Sequence, residues 1–429
     1  MANRSVVILS PYFPPSTLAG VHRARHLAKH LPTHGWKPIV LCVDEAYHEQ
    51  RLDPDLAKLM PESIETVKVP ALPARLTSLF GFGEISLRAW RPLRRALFHL
   101  LDTRPIDAVI ITGSPFYPML FAEKIKRRYS VPVVLDFQDP WVSRWGMGLP
   151  KWSKGGLSHR LATWLEPKCV AAADHIVSVS ETQNAELRAR YAFLDESRMS
   201  AIPIGGDPND FATLRTRSAR DTEVALSSEN INLSYVGTLL PRAGEVLRCL
   251  FEGIKVAIDR KPELGRRLRV HFVGTSNQPN GYRDHQVTAY AEAAGVQNLI
   301  DETPQRVSYL QALQILAKSD GILLFGSDER HYTASKIYPA LLSGSPAIGI
   351  FHAQSSSFAI LKECHEAKVI GFSSIADLHK KTDEIARGIL SILERRGSAV
   401  RQVPTAVEPY LAVNIARQFA DIFTSVAGG

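Results

Sequence analysis

The sequence predicts an α/β protein with two parallel-sheet domains, and three observations carry this prediction. Short runs of consecutive apolar residues, typical of strands buried on both faces, alternate with amphipathic segments of helical spacing. One series of such runs begins at residues 6–10, and a second series begins at residues 231–238. Between the two series, residues 207–230 are polar and contain few large apolar side chains, which is typical of a linker.

Composition and charge are those of a globular chain with a basic surface. Hydrophobic residues make up 45% of the 429 residues and charged residues 22%, which is ordinary for a folded protein. The net charge of +8 favours an anionic partner, without choosing among a phosphorylated substrate, a membrane surface and nucleic acid. The N-terminus does not look like a signal peptide, and no apolar run reaches the roughly 18 residues of a transmembrane helix. We therefore expect a cytoplasmic protein, either free or at the inner face of the membrane.

Neither the cysteines nor the histidines indicate a metal site. Four cysteines lie far apart and form no C-x-x-C pair: Cys42, Cys169, Cys249 and Cys364. This spacing favours free thiols in a reducing compartment. His22, His26 and His30 form a stripe at helical spacing. Because no cysteine or carboxylate accompanies them, we expect a solvated helix face there.

The first domain opens with a strand–helix–strand unit. Residues 6–10 and 38–42 are predicted strands, and residues 21–31 a helix, so a right-handed crossover and a parallel sheet are expected. The loop at residues 11–20 follows the first strand, at the edge where such sheets bind ligands. It contains no G-x-G-x-x-G fingerprint, and the chain has no Walker A motif. These two negatives argue against dehydrogenases and P-loop NTPases.

Two carboxylates follow a later strand of this domain. The predicted strand at residues 132–136 runs into Asp136-Phe137-Gln138-Asp139-Pro140-Trp141. Carboxylates at the end of a buried strand are costly unless they are paired, hydrogen-bonded or hydrated. For Asp136 we favour a structural role. For Asp139 two interpretations stay open, a functional side chain and a cap of the Asp-Pro turn. The other strands predicted here are residues 108–115, 176–180 and 201–207, and the helices are residues 165–173 and 181–191.

A basic aromatic segment raises the question of a membrane. Residues 87–101 combine four arginines with large apolar side chains, as segments do that lie on an anionic bilayer. We favour the alternative, a solvated helix that packs its apolar face inward. Two further basic clusters, residues 124–128 and 151–154, keep peripheral contact with an anionic membrane as an expectation.

The second domain repeats the architecture of the first. Its predicted strands are residues 231–238, 268–273 and 321–327, and its helices are residues 245–260, 289–294 and 308–318. Small residues follow these strands, among them Gly237 and Gly274, where backbone can approach a ligand closely. The tail contains two more predicted helices, residues 375–394 with Ser374 as N-cap and residues 411–426.

The segment SKIYPALLSGSPAI, residues 335–348, predicts a short helix with Ser335 as N-cap, a stop at Gly344 and a following strand. A helix N-terminus that carries a hydroxyl and the ammonium of Lys336 can bind an anion. The alternative is an ordinary crossover helix with a surface lysine. The segment alone does not exclude that alternative.

Seven motifs together resemble the retaining glycosyltransferases of the GT-B fold, family four. In chain order they are the loop and helix at residues 10–41, DFQDPW, IVSVSETQ, IPIGGD, YVGTL, HFVG and SKIYPALLSGSPAI. The resemblance covers nearly the whole chain. It implies two Rossmann-like domains facing a cleft. Its domain boundaries are an N-terminal acceptor domain at residues 1–206, a linker at 207–230, a C-terminal donor domain at 231–410 and a helix at 411–429 that crosses back to the N-terminal domain.

The resemblance also implies an activity. Such an enzyme moves a sugar from a nucleotide-diphosphate sugar to an acceptor hydroxyl with retention, in glycan, polysaccharide or glycolipid biosynthesis. The expected partners are the donor and a glycan or lipid-linked acceptor; a nucleic acid has only the net charge in its favour. We expect no cofactor beyond the donor and no metal ion. The alternative is a non-catalytic GT-B protein that binds a sugar nucleotide. A GT-B epimerase would need carboxylates around the anomeric carbon that the sequence does not supply.

Donor-site residues carry over from the family only in part. The arginine and lysine that usually grip the diphosphate fall on Thr238 and Ala243, so Arg242 is the nearest substitute and Lys336 another candidate. Gly237, Gly274 and Ser335 complete the implied donor site.

The remaining family positions also differ from the usual pattern. The two glutamates that the family separates by seven intervening residues fall on His331 and Pro339, so the carboxylate that usually holds the donor ribose is missing. Gly20 matches the N-terminal loop glycine that approaches the donor phosphate. The catalytic-pocket histidine falls near Asp139, which is therefore our catalytic candidate, as a residue that positions the acceptor.

Overall fold

Two parallel sheets organise the chain. A computed structural model describes residues 4–77, 83–216, 224–240, 242–276, 284–328, 335–395 and 401–428. The chain divides into a first unit, Met1–Gly205 with Ala412–Gly429, and a second unit, Gly206–Leu411. All strand pairings in the two sheets are parallel. The predicted class, α/β with two parallel-sheet domains, is therefore confirmed.

The sheet of the first unit has seven strands among the described residues. They are β1 Arg4–Leu9, β2 Trp36–Val43, β3 Glu65–Val69, β4 Ala108–Gly113, β5 Val133–Phe137, β6 His175–Ser178 and β7 Met199–Ala201. Their order is β3-β2-β1-β4-β5-β6-β7. The direction of strand succession reverses between β1 and β4, so the loops after these two strands flank the crevice where such sheets bind ligands.

The helices of the first unit cover both faces of this sheet. They are α1 Val21–His30, α2 Pro54–Ala57, α3 Ala74–Thr77, α4 Ile85–Arg88, α5 Trp90–Thr103, α6 Phe121–Tyr129, α7 Arg144–Met147, α8 Lys154–Ala172, α9 Glu181–Arg190 and the C-terminal α19 Ala412–Gly428. Helix α19 packs on α1, where Phe419 and Phe423 join Leu27 in one buried cluster. The last helix thus belongs to the first unit, as the fold class implies.

The histidine stripe of α1 is not solvated, and that prediction was wrong. His26 and His30 are buried. His26 Nδ1 lies 3.3 Å from the Ile204 carbonyl, and Arg25 Nη2 lies 3.0 Å from His26 Nε2. The two contacts fit an imidazole protonated on Nδ1. The contact of His26 with the Ile204 carbonyl joins residues 178 positions apart, and such a contact leaves no local mark on the sequence.

Helix α5 packs inward, as we favoured for residues 87–101. Leu93, Leu97, Phe98 and Leu100 are buried in the core of the first unit. Three of the four arginines of the segment, Arg91, Arg94 and Arg95, are exposed on this helix, whereas Arg88 is buried at the end of α4 and donates to the Leu72 carbonyl. In the described part of the chain, no helix combines the length and the low polarity that crossing a bilayer requires.

The second unit repeats the plan with six strands among the described residues. They are β8 Ile231–Val236, β9 Leu268–Val273, β10 Ile300–Thr303, β11 Gly321–Phe325, β12 Ala347–His352 and β13 Ala367–Phe372, in the order β10-β9-β8-β11-β12-β13. Its helices are α10 Pro208–Thr216, α11 Gly244–Arg260, α12 Pro262–Gly265, α13 Thr288–Ala293, α14 Tyr309–Lys318, α15 Ile337–Leu342, α16 Ser356–Lys362, α17 Ile375–Leu378 and α18 Thr382–Glu394. Here the reversal falls between β8 and β11.

Two predicted boundaries need correction. Residues 208–216, assigned to a linker, form α10 of the second unit, where Tyr309 Oη donates a 3.0 Å hydrogen bond to the buried carboxylate of Asp210. A tertiary contact thus holds a polar segment in a helix. The single helix predicted at residues 375–394 is α17, a 3-10 turn at His379–Lys381 and α18. Ser374 is the N-cap of α17, as predicted.

Candidate functional site

The glycine loops of the second unit lie where β8 and β9 end. Gly237 has a φ of 134° and Gly274 a φ of 73°, conformations that other residues rarely adopt. A Cβ on Gly237 would overlap Lys336 Cε and lie 2.9 Å from its Nζ. A Cβ on Gly274 would lie 3.9 Å from the Gly237 Cα. Gly237 is therefore needed for Lys336 to lie directly on this loop, whereas Gly274 is needed for its own backbone conformation.

Lys336 is the central side chain of the site. Its ammonium donates to the Tyr235 hydroxyl at 2.7 Å and to the Thr238 carbonyl, and it lies 4.7 Å from the centroid of the Tyr235 ring. Desolvation, and then the charge of Arg306, lower the pKa of Lys336 from 10.5 to about 7. The residue is half-buried, and its ammonium contacts uncharged oxygens. An anion bound here would restore the protonated form.

Arg306 is a site residue that sequence reasoning missed. It lies in the loop after β10, and its Nη2 donates a 3.0 Å hydrogen bond to Thr238 Oγ1. Burial lowers the pKa of its guanidinium. The family's arginine is expected at position 238, and here Thr238 receives an arginine from another loop instead. Only the order of strands reveals this, because β10 joins the sheet beside β9.

Arg242 has a different environment from the one predicted. Its guanidinium forms an ion pair with the Asp328 carboxylate, and its side chain is 58% exposed. Asp328 follows β11, 86 residues farther along the chain. The charge of Arg242 is therefore already balanced, whereas Lys336 has another cation as its charged neighbour.

Around α15 the predicted helix and its end are present, but the N-cap residue differs from the predicted one. Lys336, not Ser335, is the N-cap residue, and no side chain caps the helix, so the prediction for Ser335 was wrong in this detail. Pro339 is the third residue of a six-residue helix, and Gly344 ends it with a φ of 71°, as predicted. The other family position, His331, lies outside the described residues.

In the first unit, the structure brings the predicted N-terminal loop beside the DFQDPW segment. Gly20 has a φ of −61°, and a Cβ on it would lie 3.1 Å from Gln138 Oε1. Asp136 accepts a 3.2 Å hydrogen bond from Gln138 Nε2 and forms a fully buried ion pair with Arg23, Nε to Oδ2 3.3 Å. This pairing supports the structural role that we favoured for Asp136.

Asp139 differs from its neighbour because it reaches the surface. The residue is exposed, yet the protein around its carboxyl raises its pKa by desolvation. The Trp141 ring stacks on Phe116 with centroids 5.4 Å apart, which fixes the turn that carries Asp139. A carboxyl held in this way can exchange hydrogen bonds with a sugar hydroxyl.

Among the residues that the structure describes, one group of side chains could hold a metal ion. Ligand atoms of Cys249, Glu252 and His379 lie within 4.8 Å of one another, with Cys249 Sγ 3.5 Å from His379 Nδ1. The other ring nitrogen of His379 lies 3.3 Å from the Glu245 carboxylate. The group lies on α11 and the turn after α17, not at the strand ends, so we give it no part in the reaction.

The N-terminal part of the chain matches a known family, and the whole chain resembles solved structures. Residues 19–205 match the profile of the Glycosyl transferase 4-like domain. Anabaena Alr3699/HepE, solved in complex with UDP and glucose, is 13% identical over 98% of this chain and 100% of that chain, with a TM-score of 0.59. Sucrose-phosphate synthase from Thermosynechococcus elongatus is 12% identical over 99% of each chain, with a TM-score of 0.63.

A third structure extends the same likeness. An α,α-trehalose-phosphate synthase (UDP-forming) from Burkholderia vietnamiensis is 14% identical over 100% of both chains, with a TM-score of 0.60. At these identities the structures show a common fold. No sequence among curated proteins matches the chain. The chain therefore contains a Glycosyl transferase 4-like domain at residues 19–205, and its two parallel-sheet units share the fold of these solved structures.

Proposed function

We propose that this protein transfers a sugar, with retention, from a nucleoside-diphosphate sugar to an acceptor hydroxyl in glycan, polysaccharide or glycolipid biosynthesis. The observation that supports this most is the pair of cations, Lys336 and Arg306, that share Thr238 at the carboxyl end of β8. The charge of Arg306 opposes protonation of the desolvated Lys336, and a bound anion would relieve this repulsion. A diphosphate supplies that anion, so we assign donor binding to the second unit.

Lys336 and Arg306 would also stabilise the negative charge that develops during the reaction. When the bond between the sugar C1 and the donor oxygen breaks, negative charge grows on the leaving diphosphate, and the two cations stabilise it. The Arg306 guanidinium can reach two phosphate oxygens as a fork, and the Lys336 ammonium acts as a point charge. The family's arginine position is occupied here by Thr238, and in this proposal Arg306 takes over its role. The family's lysine position is occupied by Ala243, and Lys336 takes over that role. No metal ion is required.

We assign acceptor recognition to the first unit. Asp139 is exposed beside a loop that Gly20 and Gln138 hold at the switch between β1 and β4. Its desolvated carboxyl would orient a hydroxyl of a glycan or lipid-linked acceptor. Pro339 supplies no carboxylate for the ribose, so the nucleoside must be held by other groups of the second unit. The UDP complex of HepE and the UDP-forming synthase make uridine the first base to test.

The alternative is a protein that binds sugar nucleotides without transferring the sugar. Thr238, Ala243 and Pro339, which lack the family's charged groups, are the observation that favours it. The two functions predict the same binding but different products, so binding alone does not separate them.

Nucleotide release decides between them. The full chain is incubated with uridine, guanosine and adenosine diphosphate sugars, with and without a mixture of glycan and lipid-linked acceptors, and free diphosphate is measured. We expect release that depends on one donor and one acceptor, persists in a chelator, and falls at least about tenfold in Lys336→Met and in Asp139→Asn. Binding of a donor without release, for every acceptor, would favour the alternative. Absence of binding to all donors would refute both.

A further inference from the structure

Six exposed large apolar side chains of the first unit lie in one segment, residues 145–164. Trp152 is 82% exposed, Trp145 70% and Trp164 62%. Met147, Leu157 and Leu161 are exposed as well. Large apolar side chains that are exposed together mark an interaction surface, whereas single ones need no explanation. We call these six residues, with the lysines and arginine between them, the aromatic–basic surface.

Helix α8 shows that this surface is a continuous face. Leu157, Leu161, Trp164 and Lys168 are spaced by four, three and four residues, so they fall within an arc of about 60° on the helix. All four are exposed. A second apolar face of the same helix is buried: Ala162, Leu165, Cys169 and Val170. The helix therefore presents one apolar face to the core and another to solvent.

The short helix α7, which carries Trp145 and Met147, lies beside α8. A Cβ on Gly146 would meet His159 of α8, so α7 lies directly against α8. The guanidinium of Arg160 lies 5.4 Å from the centroid of the Trp152 ring, and Lys168 Nζ lies 3.3 Å from that of Trp164. Cationic groups are thus interleaved with the indoles rather than segregated from them.

The charge of the segment identifies its partner. Residues 140–165 contain no Asp or Glu but include Arg144, Lys151, Lys154 and Arg160. Indole rings and long basic side chains together suit the boundary between phospholipid headgroups and acyl chains, where the ring lies in the apolar layer and the charge at the phosphates. A second copy of this chain fits poorly, because a two-fold contact would oppose the same cations. We propose that the aromatic–basic surface docks on an anionic phospholipid bilayer.

This proposal goes beyond the transfer reaction and does not rest on it. The surface belongs to the first unit, whereas the proposed diphosphate site belongs to the second. It also differs from the membrane segment considered from sequence, residues 87–101, whose apolar face is buried. Docking would hold the protein where a lipid-linked acceptor is found.

Vesicle co-sedimentation tests the proposal. The full chain is mixed with vesicles of phosphatidylcholine alone or with about one-third phosphatidylglycerol. We expect binding to the anionic vesicles only, weakened by salt. The double variant Trp152→Ser/Trp164→Ser should lose about tenfold or more in affinity, because two exposed rings no longer enter the bilayer. Lys151→Glu/Lys154→Glu should lose about fivefold for each charge removed.

Matched control variants distinguish docking through this surface from non-specific adsorption to the vesicles. Phe193→Ser removes another exposed ring, 56% exposed, and Lys362→Glu reverses an exposed charge in the second unit. Both should bind anionic vesicles like the unchanged protein. All substituted residues are exposed, and thermal unfolding by circular dichroism checks that each variant is folded.

Three results would overturn the proposal: equal binding to neutral and anionic vesicles, equal losses in the control variants, or no vesicle binding together with self-association that the tryptophan variant abolishes. Donor binding, measured in the same variants without vesicles, should not change. A failure of docking and a failure of the proposed reaction are therefore distinguishable.

Discussion

Buried cations near the strand ends of the two units have opposite surroundings. In the first unit, Arg23 is fully buried against Asp136, and its guanidinium also donates to the Ile202 and Pro203 carbonyls. In the second unit, Lys336 contacts a hydroxyl and a carbonyl, and its charged neighbour is Arg306. A cation that folding has already paired with a carboxylate is structural. A desolvated cation beside another cation indicates an anionic ligand.

The largest effect should be the loss of unfolding free energy when the buried Arg23–Asp136 ion pair is broken. Arg23→Met leaves the Asp136 carboxylate buried without its cation, which costs about 3–5 kcal/mol of unfolding free energy. Urea denaturation measures it. The double variant Arg23→Met/Asp136→Leu, which removes both charges, should recover most of the loss. A single variant that loses less than about 1 kcal/mol would show that the pair is not structural.

A change at Lys336 should have the opposite pattern: a large effect on ligand binding and a small one on stability. Lys336→Met should weaken nucleoside-diphosphate binding by roughly ten- to a hundredfold, since a charge-assisted contact is lost. Its unfolding free energy at pH 7 should change by less than about 1 kcal/mol, because the lost hydrogen bonds offset a relieved desolvation. Isothermal titration calorimetry and urea denaturation give the two values. A large loss of stability with unchanged binding would make Lys336 structural.

The pH dependence of diphosphate binding tests whether the ammonium of Lys336 binds the ligand. The pKa of Lys336 is about 7 without ligand, and a bound diphosphate raises it. Above pH 7 the ammonium is deprotonated in the free protein and must take up a proton on binding. Affinity should therefore fall by up to about tenfold per pH unit above 7. Titrations between pH 6 and about 9 measure this slope. Lys336→Met supplies the control, which should show a flatter profile; equal slopes would contradict the assignment.

The smallest effect should separate the two arginines of the second unit. Arg306→Gln should weaken diphosphate binding by about tenfold, because it removes a charge that touches Thr238 and acts on Lys336. Arg242→Gln should cost about threefold or less, since the ion pair with Asp328 is exposed and already balances this charge. The two variants form a matched pair in one binding assay. A larger loss in Arg242→Gln would restore the role that the sequence alone assigned to it.

The parallel sheets and several special backbone positions could be predicted from the sequence. Runs such as residues 6–9 and 322–325 are apolar because both faces of their strands are covered, and that requirement is local. Gly344 was predicted to take a positive φ, and it does. The prediction of a linker at residues 207–230 was wrong for α10. The polar sequence of this helix is held by a hydrogen bond between Asp210 and Tyr309, which lie 99 positions apart.

The partner of each charge was decided only by the tertiary structure. The sequence placed Lys336, Gly237 and Thr238 in one site, because motif order identifies loops that end at the same sheet edge. It did not show that Arg306 would stand beside Thr238, that Asp328 would take Arg242, or that one face of α8 would stay in solvent. Such contacts join residues 68 and 86 positions apart. Their energy depends on distance and desolvation, which local periodicity does not encode.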